Sequence, residues 1–176
     1  MGIAKRHKTV KLIVGMISND SKLLLKTETI LQRTFGPIDF RTSLLDFAYT
    51  DYYEPEMGGN LKRQFVSFRR LINPEDLPKI KLYTNRLESK MSISRQKPSR
   101  RMNIDPGYLT EAKLVLATTK DHQHRVYLNR GIYAEVTLKF VDKTFLAWDW
   151  TYRDYQTKEY IDIFNEIRKI YLQQIR

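Results

Sequence analysis

Residues 100–110 (RRMNIDPGYLT) carry two guanidinium groups, an amide, a carboxylate, a phenol and a hydroxyl at one predicted bend. Side chains alternate along extended chain, so Arg101, Asn103 and Asp105 would point to one side. A guanidinium binds phosphate or carboxylate, while amides and carboxylates bind hydroxyls, amines or cations. We therefore predict a polar ligand site that contains these three residues and Tyr108.

The same stretch has a simpler structural explanation. Pro106-Gly107 predicts a turn, and an aspartate before Pro-Gly commonly accepts hydrogen bonds from the next backbone amides. Asp105 could therefore serve the turn alone. Asn103, two residues earlier, is not explained by turn chemistry.

A second group of polar residues precedes the clearest hairpin. His122 and His124 would point the same way in a strand, which permits metal binding. An isolated pair is a weak motif, so a solvated loop is the simpler interpretation and we predict no metal site. His124 is the candidate general base, and Arg125 could bind the ligand or stabilise negative charge.

Glu135 is the third candidate and a second possible base. Alternation over residues 132–138 puts Tyr133, Glu135 and Thr137 on one face of a strand. An exposed sheet face accounts for this pattern. The functional alternative is that this face lines a cleft opposite residues 100–110.

The elements that position these residues follow from hydrophobic periodicity, caps and turns. The pattern predicts extended segments at 9–17, 39–53, 62–71, 125–128, 132–141 and 144–148. It also predicts four helices, which end near Phe35, residue 90, Thr118 and Ile175. Thr110 would cap the third of these helices and Thr157 the last. This order indicates an α+β fold, a mostly antiparallel mixed sheet with helices packed on one face. The first half is compatible with a split β-α-β-β-α-β, ferredoxin-like unit.

Length and composition indicate one domain over residues 1–176. Apolar residues make up 41% of the chain, and the absence of cysteine excludes disulfides and thiolate metal sites. We expect a flexible basic N-terminus at 1–8 and a mobile loop at 92–99. The six apolar residues 12–17 are too few for a signal sequence or membrane span, so we expect a cytoplasmic protein with no membrane partner.

The formal net charge of +11 favours an anionic partner, although solubility alone also explains it. Six basic residues and one acid lie between Arg86 and Arg101. The sequence lacks the Gly-x-x-x-x-Gly-Lys-Ser/Thr loop, the Gly-x-Gly-x-x-Gly motif and His-Glu-x-x-His. A bound nucleotide would therefore be held in some other way.

Five motifs in order carry a family resemblance: DYYEPEMG from Asp51, RMNIDPGYL from Arg101, HRVYL from His124, GIYAEVTL from Gly131 and WTYRDY from Trp150. They resemble an uncharacterised bacterial domain-of-unknown-function family of about this length. Some members carry an automatic GTP-binding label, which the missing phosphate-binding loop does not support. The resemblance implies a single-domain protein and supplies no catalytic residues.

These observations favour a cleft that binds a small anionic ligand, phosphorylated or nucleotide-like. If the protein is an enzyme, His124 or Glu135 would act as the base. The alternative is an RNA-binding protein that uses a basic face, and a further alternative is a structural or protein-interaction module. The sequence identifies neither a cofactor nor an oligomeric state.

Overall fold

A computed structural model describes residues 2–92 and 100–176. All of the predicted mobile loop except Ser92 lies outside these residues. Within them the chain forms nine strands and four α-helices, in the order β1 Lys11–Ser18, α1 Ser21–Phe35, β2 Ile38–Arg41, β3 Leu45–Asp46, α2 Glu54–Met57, β4 Lys62–Phe68, α3 Leu77–Met91, β5 Asn103–Leu109, β6 Lys113–Thr118, β7 Arg125–Asn129, β8 Ile132–Val141, β9 Thr144–Ala147 and α4 Lys158–Gln174. Short 3-10 turns occupy Asp51–Tyr53, Pro74–Asp76 and Arg153–Gln156.

The strands form one sheet in the order β2-β4-β1-β5-β6-β8-β7, with β3 paired to β4 and β9 paired to β8. Every pairing between named strands is antiparallel. The predicted α+β class with a mostly antiparallel sheet is confirmed. In the first half, β1 lies between β4 and β5, and β4 lies between β1 and β2, which is the arrangement of a split β-α-β-β-α-β unit.

Helices cover both faces of the sheet rather than the one face expected. Leu12, Val14 and Met16 of β1 pack against α1 and α3. Ile13, on the opposite face of the same strand, packs in the cluster that contains Phe164 and the rest of the apolar face of α4. The central strand β1 is therefore buried on both sides, which explains its nearly continuous apolar sequence.

The predicted turn at Pro106-Gly107 is wrong. Strand β5 continues through both residues, and Pro106 and Gly107 lie opposite Val14 and Ile13 of β1. The pairing with β1 holds the segment extended, so turn propensity is overridden by tertiary contacts.

The predicted helix after Thr110 is also wrong. Residues 113–118 form strand β6, in which Leu114 and Leu116 face α4 while Val115 and Ala117 face α3. Burial on two faces gives β6 an apolar run without a helical period. The Thr110 hydroxyl accepts hydrogen bonds from the amides of Ala112 and Lys113, so it stabilises the β5–β6 turn.

Side-chain caps begin the first and last helices, and the predicted cap of the last helix, Thr157, is confirmed. Asp20 accepts hydrogen bonds from the amides of Lys22 and Leu23 at the start of α1. Thr157 accepts one from the amide of Tyr160 at the start of α4. Among the described residues, none of the helices has the length and apolar character needed to cross a membrane.

Candidate functional site

The site begins where strands β5 and β6 separate. The two strands pair only between Gly107–Leu109 and Leu114–Leu116. Beyond that point, α3 takes the place of a neighbouring strand: Glu88 Oε1 accepts a hydrogen bond from the Ile104 amide at 2.6 Å, and Lys81 Nζ donates one to the Ile104 carbonyl at 3.2 Å. The sheet is therefore open on this side of β5.

Proline and glycine fit this separation. Alternate residues of a strand direct their backbone groups to the same side, so the Pro106 nitrogen faces the same open side as the Ile104 amide. No neighbouring strand requires a hydrogen-bond donor there. At Gly107 the strands meet closely, and a Cβ there would lie 2.4 Å from the Val115 carbonyl oxygen. The Pro-Gly pair thus ends the β5–β6 ladder without turning the chain.

A cleft of about 730 Å³ occupies the opened region. Protein sites for small ligands commonly have volumes of about 300–1,000 Å³. Aromatic residues contribute part of the wall, namely Phe47, Tyr49, Tyr52, Tyr53, Tyr152 and Tyr155. Charged residues contribute another part, namely Glu56, Arg63, Lys81, Glu88, Arg100, Asp105, Lys120, Glu135, Arg153 and Asp154.

Asn103 and Asp105 lie side by side in the cleft wall. Asn103 Nδ2 donates to Asp105 Oδ2, and Lys81 Nζ contacts Asp105 Oδ1 at 3.0 Å. Burial raises the pKa of Asp105, but the charges of Lys81 and Arg63 and these hydrogen bonds outweigh it, so the pKa is lowered overall. Asp105 is therefore a fixed carboxylate rather than a proton donor at neutral pH.

Arg63 crosses the cleft floor from β4. Its Nη1 passes over Gly15, where a Cβ would lie only 2.9 Å away. Nη2 donates to Asp154 Oδ2 at 3.0 Å, and the guanidinium lies 4.9 Å from the Phe47 ring centroid and 5.7 Å from that of Tyr155. The side chain is 3% exposed.

Three buried polar atoms at this point lack a hydrogen-bond partner in the part of the chain that the structure describes. They are Nε and Nη1 of Arg63 and the hydroxyl of Tyr155. Burial raises the pKa of Tyr155, so this phenol stays protonated and can donate. Buried donors without acceptors are costly, and both side chains line the cleft.

Glu88 is a carboxyl group of the site that titrates near neutral pH. Burial raises its pKa from 4.5 to about 7, opposed by Lys81 and reinforced by Asp105. Asp105 has its pKa shifted in the opposite direction. Two carboxyl groups with pKa values moved apart are typical of acid–base sites.

The rim carries further cations. Lys120 Nζ contacts the Tyr52 hydroxyl at 3.1 Å, and its hydrogen bond, with one from Arg100, lowers the pKa of Tyr52. Arg100 pairs with Glu56 at 2.9 Å and donates to Asn103 Oδ1 at 3.2 Å. Within the described residues, Arg153 has no hydrogen-bond or ion-pair partner.

Glu135 lines the cleft, is 2% exposed and belongs to a polar network that extends away from the cleft. Its Oε2 accepts from Arg125 Nε at 2.9 Å and contacts His124 Nε2 at 3.3 Å. Arg125 also donates to the Tyr152 hydroxyl at 2.7 Å, and the His124 ring stacks on Trp150. Glu135 is thus held by two partners and positions Tyr152 through Arg125.

The predicted site residues divide into three groups. Asn103, Asp105 and Glu135 line the cleft. His124 and Arg125 reach it indirectly, through Glu135. Arg101 and Tyr108 are outside its lining.

Arg101 and Tyr108 lie outside the cleft lining for different physical reasons. Arg101 precedes β5, so strand alternation does not apply to it, and it pairs with Asp20 at 2.9 Å. The chain stays extended through Pro106, so Tyr108 lies on the face opposite Asp105, and it packs against the apolar cluster that contains Leu77 and Val115.

The sequence reading missed Arg63, Lys81, Glu88, Arg100 and Lys120 as site residues. Lys81 and Glu88 are seven residues apart on α3, which places them on one side of the helix, next to its apolar face. Arg63 lies in β4 on the same face as Phe65. Within residues 2–92 and 100–176, there is no group of three or more His, Asp or Glu placed to hold a metal ion.

Comparisons with known proteins give a single result. No curated protein and no solved structure matches the chain. The model of one family matches residues 8–171, almost the whole sequence. The chain therefore belongs to the family described as Domain of unknown function (DUF4416).

Proposed function

We propose that the protein binds a small anionic ligand, phosphorylated or nucleotide-like, in the cleft between β5 and β6. The main support for this proposal is that buried hydrogen-bond donors of Arg63 and Tyr155 have no partner among the described residues. An anionic oxygen is the acceptor that a guanidinium and a phenol prefer, and charge-assisted hydrogen bonds are the stronger ones.

The remaining charges favour an anion at the same place. Four of the five lining carboxylates are already paired, with Arg63, Lys81, Arg100 and Arg125. Glu88, the fifth, is partly protonated near neutral pH because its pKa is about 7. Lys120 and Arg153, near the opening, have no carboxylate partner among the described residues, so an entering anion meets a net positive rim.

The aromatic wall favours a ligand with a planar part. Tyr52 and Tyr152 are 55% and 50% exposed, so their rings are available to a bound molecule. Stacking on such rings contributes about 1–3 kcal/mol per base and tolerates different bases. A nucleotide combines the planar group and the anionic group that this wall and floor would bind.

The test is isothermal titration calorimetry with nucleoside mono- and diphosphates and with pyrophosphate. Tyr155→Phe removes one unpartnered hydroxyl, so it should leave stability unchanged or slightly higher while weakening the best probe severalfold. Arg63→Met combined with Asp154→Asn removes a buried ion pair as a unit and should abolish binding. Arg101→Ala, which changes an arginine outside the cleft, is the control and should bind normally.

Two outcomes would overturn the proposal. One is that none of the probes binds the wild-type protein. The other is that the best probe binds Tyr155→Phe and the Arg63/Asp154 double variant as tightly as wild type.

A further inference from the structure

Helices α1 and α3 form one layer on the sheet face opposite α4. Thr34 Oγ1 and the Tyr83 hydroxyl are 2.9 Å apart, and Thr27 Oγ1 lies 3.5 Å from Met91 Sδ. The later residue of α1, Thr34, contacts the earlier residue of α3, Tyr83, so the two helices are antiparallel neighbours. Their outer surfaces therefore form one continuous face.

Each helix carries a row of three cations on this face. The rows are Lys22, Lys26 and Arg33 on α1, and Lys79, Arg86 and Lys90 on α3, all six exposed. Successive helical residues are rotated by about 100°, so each row falls within about 40° around its helix. The buried residues of each helix centre on the opposite side. Both rows thus point directly away from the sheet.

The face carries almost no compensating negative charge. In the described part of the chain, Lys79 is the only one of the six with a carboxylate partner, Asp76 at 3.3 Å. The acids within the two helices point elsewhere: Glu28 is buried and pairs with Arg41, and Glu88 binds the Ile104 amide. Five of the six cations therefore lack a carboxylate partner among the described residues. Each row is about 16 Å long, and packed helices lie about 8–10 Å apart.

We propose that this face, the α1–α3 basic face, binds the phosphate backbones of double-stranded RNA. A duplex carries one negative charge per about 1.7 Å, so it could engage cations along both rows, whereas a small anion could engage only one or two of them. The occupant is distinct from the ligand proposed for the cleft, because the rows point away from the sheet while Lys81 and Glu88 of α3 point towards β5.

Three features favour duplex RNA over other polyanions. Single strands are usually bound through exposed aromatic rings, and none of the strongly exposed aromatic residues belongs to α1 or α3, which are described in full. A membrane surface requires apolar side chains beside the cations, and Leu25 is the one strongly exposed large apolar residue on the two helices. A flat layer of two helices suits the wide, shallow minor groove of an A-form duplex, whereas the B-form major groove is read by an inserted helix or ribbon.

The test is fluorescence anisotropy of a labelled RNA duplex of about 20 base pairs, titrated with the full chain at several KCl concentrations; dsRNA modules span about 16 base pairs. Two triple variants neutralise one row each: Lys22→Gln/Lys26→Gln/Arg33→Gln and Lys79→Gln/Arg86→Gln/Lys90→Gln. Each should weaken binding at low salt by tenfold or more and reduce the slope of log K against log salt by about two to three.

A control triple separates docking from net charge. Lys143→Gln/Lys158→Gln/Lys169→Gln removes the same three charges from exposed positions outside α1 and α3. This triple should change affinity less than twofold. Circular dichroism of all three triples checks that the exposed substitutions leave the fold intact.

The proposal is overturned if the RNA duplex does not bind at low salt, or if the control triple weakens binding as much as the row variants. It is also overturned if a DNA duplex of the same sequence, or vesicles containing phosphatidylserine, bind as tightly as the RNA duplex and with the same dependence on the two rows. Tight, row-dependent binding of the RNA duplex alone supports it.

Discussion

Substitution of Glu88 by glutamine should stabilise the protein in a way that depends on pH. The amide retains the oxygen that accepts the Ile104 amide hydrogen bond, and it removes the ionisable carboxyl. Burial raises the pKa of Glu88 from 4.5 to about 7. One pKa unit corresponds to about 1.4 kcal/mol, so the ionised form destabilises the folded protein by roughly 3 kcal/mol.

The sign follows from proton binding. Between pH 4.5 and 7 the folded state holds the Glu88 proton while the unfolded chain has released it, so this group's contribution to stability falls as pH rises. Above about pH 7 both states are ionised and the loss is complete. The stability difference between Glu88→Gln and wild type should therefore be close to zero near pH 4 and reach about 2–3 kcal/mol in favour of the variant at pH 8.

Urea unfolding at half-unit steps from pH 4 to pH 8.5 measures this difference. Titrating groups that do not interact with Glu88 contribute equally to both proteins, so they cancel when wild type is subtracted. Glu159→Gln, at an exposed position in the first turn of α4, controls for the chemistry of the substitution. A difference for Glu88→Gln that does not change with pH, or that favours wild type at pH 8, would refute the assigned environment of Glu88.

Three further predictions follow from the geometry of the cleft. Gly107→Ala should cost at least about 2 kcal/mol in urea unfolding, because its Cβ would collide with backbone, whereas Gly59→Ala, with nothing within 4 Å, should not. Lys81→Met should cost about 3–5 kcal/mol by leaving Asp105 unpaired, and adding Asp105→Asn should recover much of that loss in the same assay. Gly15→Ala should displace the Arg63 guanidinium, whose Nη1 lies over Gly15. The Kd of a cleft ligand, measured by calorimetry, should then rise severalfold, and the loss of stability should be smaller than that of Gly107→Ala.

The elements that sequence predicts well are those whose signals are local. Alternation and turn residues define the β7–β8 hairpin, and Thr157 marks the start of α4 through its own side-chain hydrogen bond. The split β-α-β-β-α-β order also follows from the succession of elements. The position of α4 on the opposite face does not, because an amphipathic helix does not indicate which side of a sheet it covers.

The part of the candidate site that sequence predicts is also the part that depends on local signals. Strand alternation correctly places Asn103 and Asp105 together, since both belong to β5. The prediction of Tyr108 as a site residue depended on a turn at Pro106, and that turn does not form. Arg63 and Lys81 come to Asp105 from another strand and from a helix, and no spacing in the sequence reports such a contact.

One structural cause connects the parts of the site that sequence alone left separate. Gly107 lets β5 and β6 meet at one end, and Pro106, which has no donor, ends their ladder there. The buried backbone groups of Ile104 have no partner strand on that side and need other polar partners, which α3 supplies in Lys81 and Glu88. Lys81, together with Arg63, keeps Asp105 ionised, and Glu88 brings a group with a pKa of about 7 to the cleft wall. The requirement to satisfy an open strand edge thus places charged groups where a ligand would bind, so substitutions at Lys81 or Glu88 should change stability and ligand affinity together.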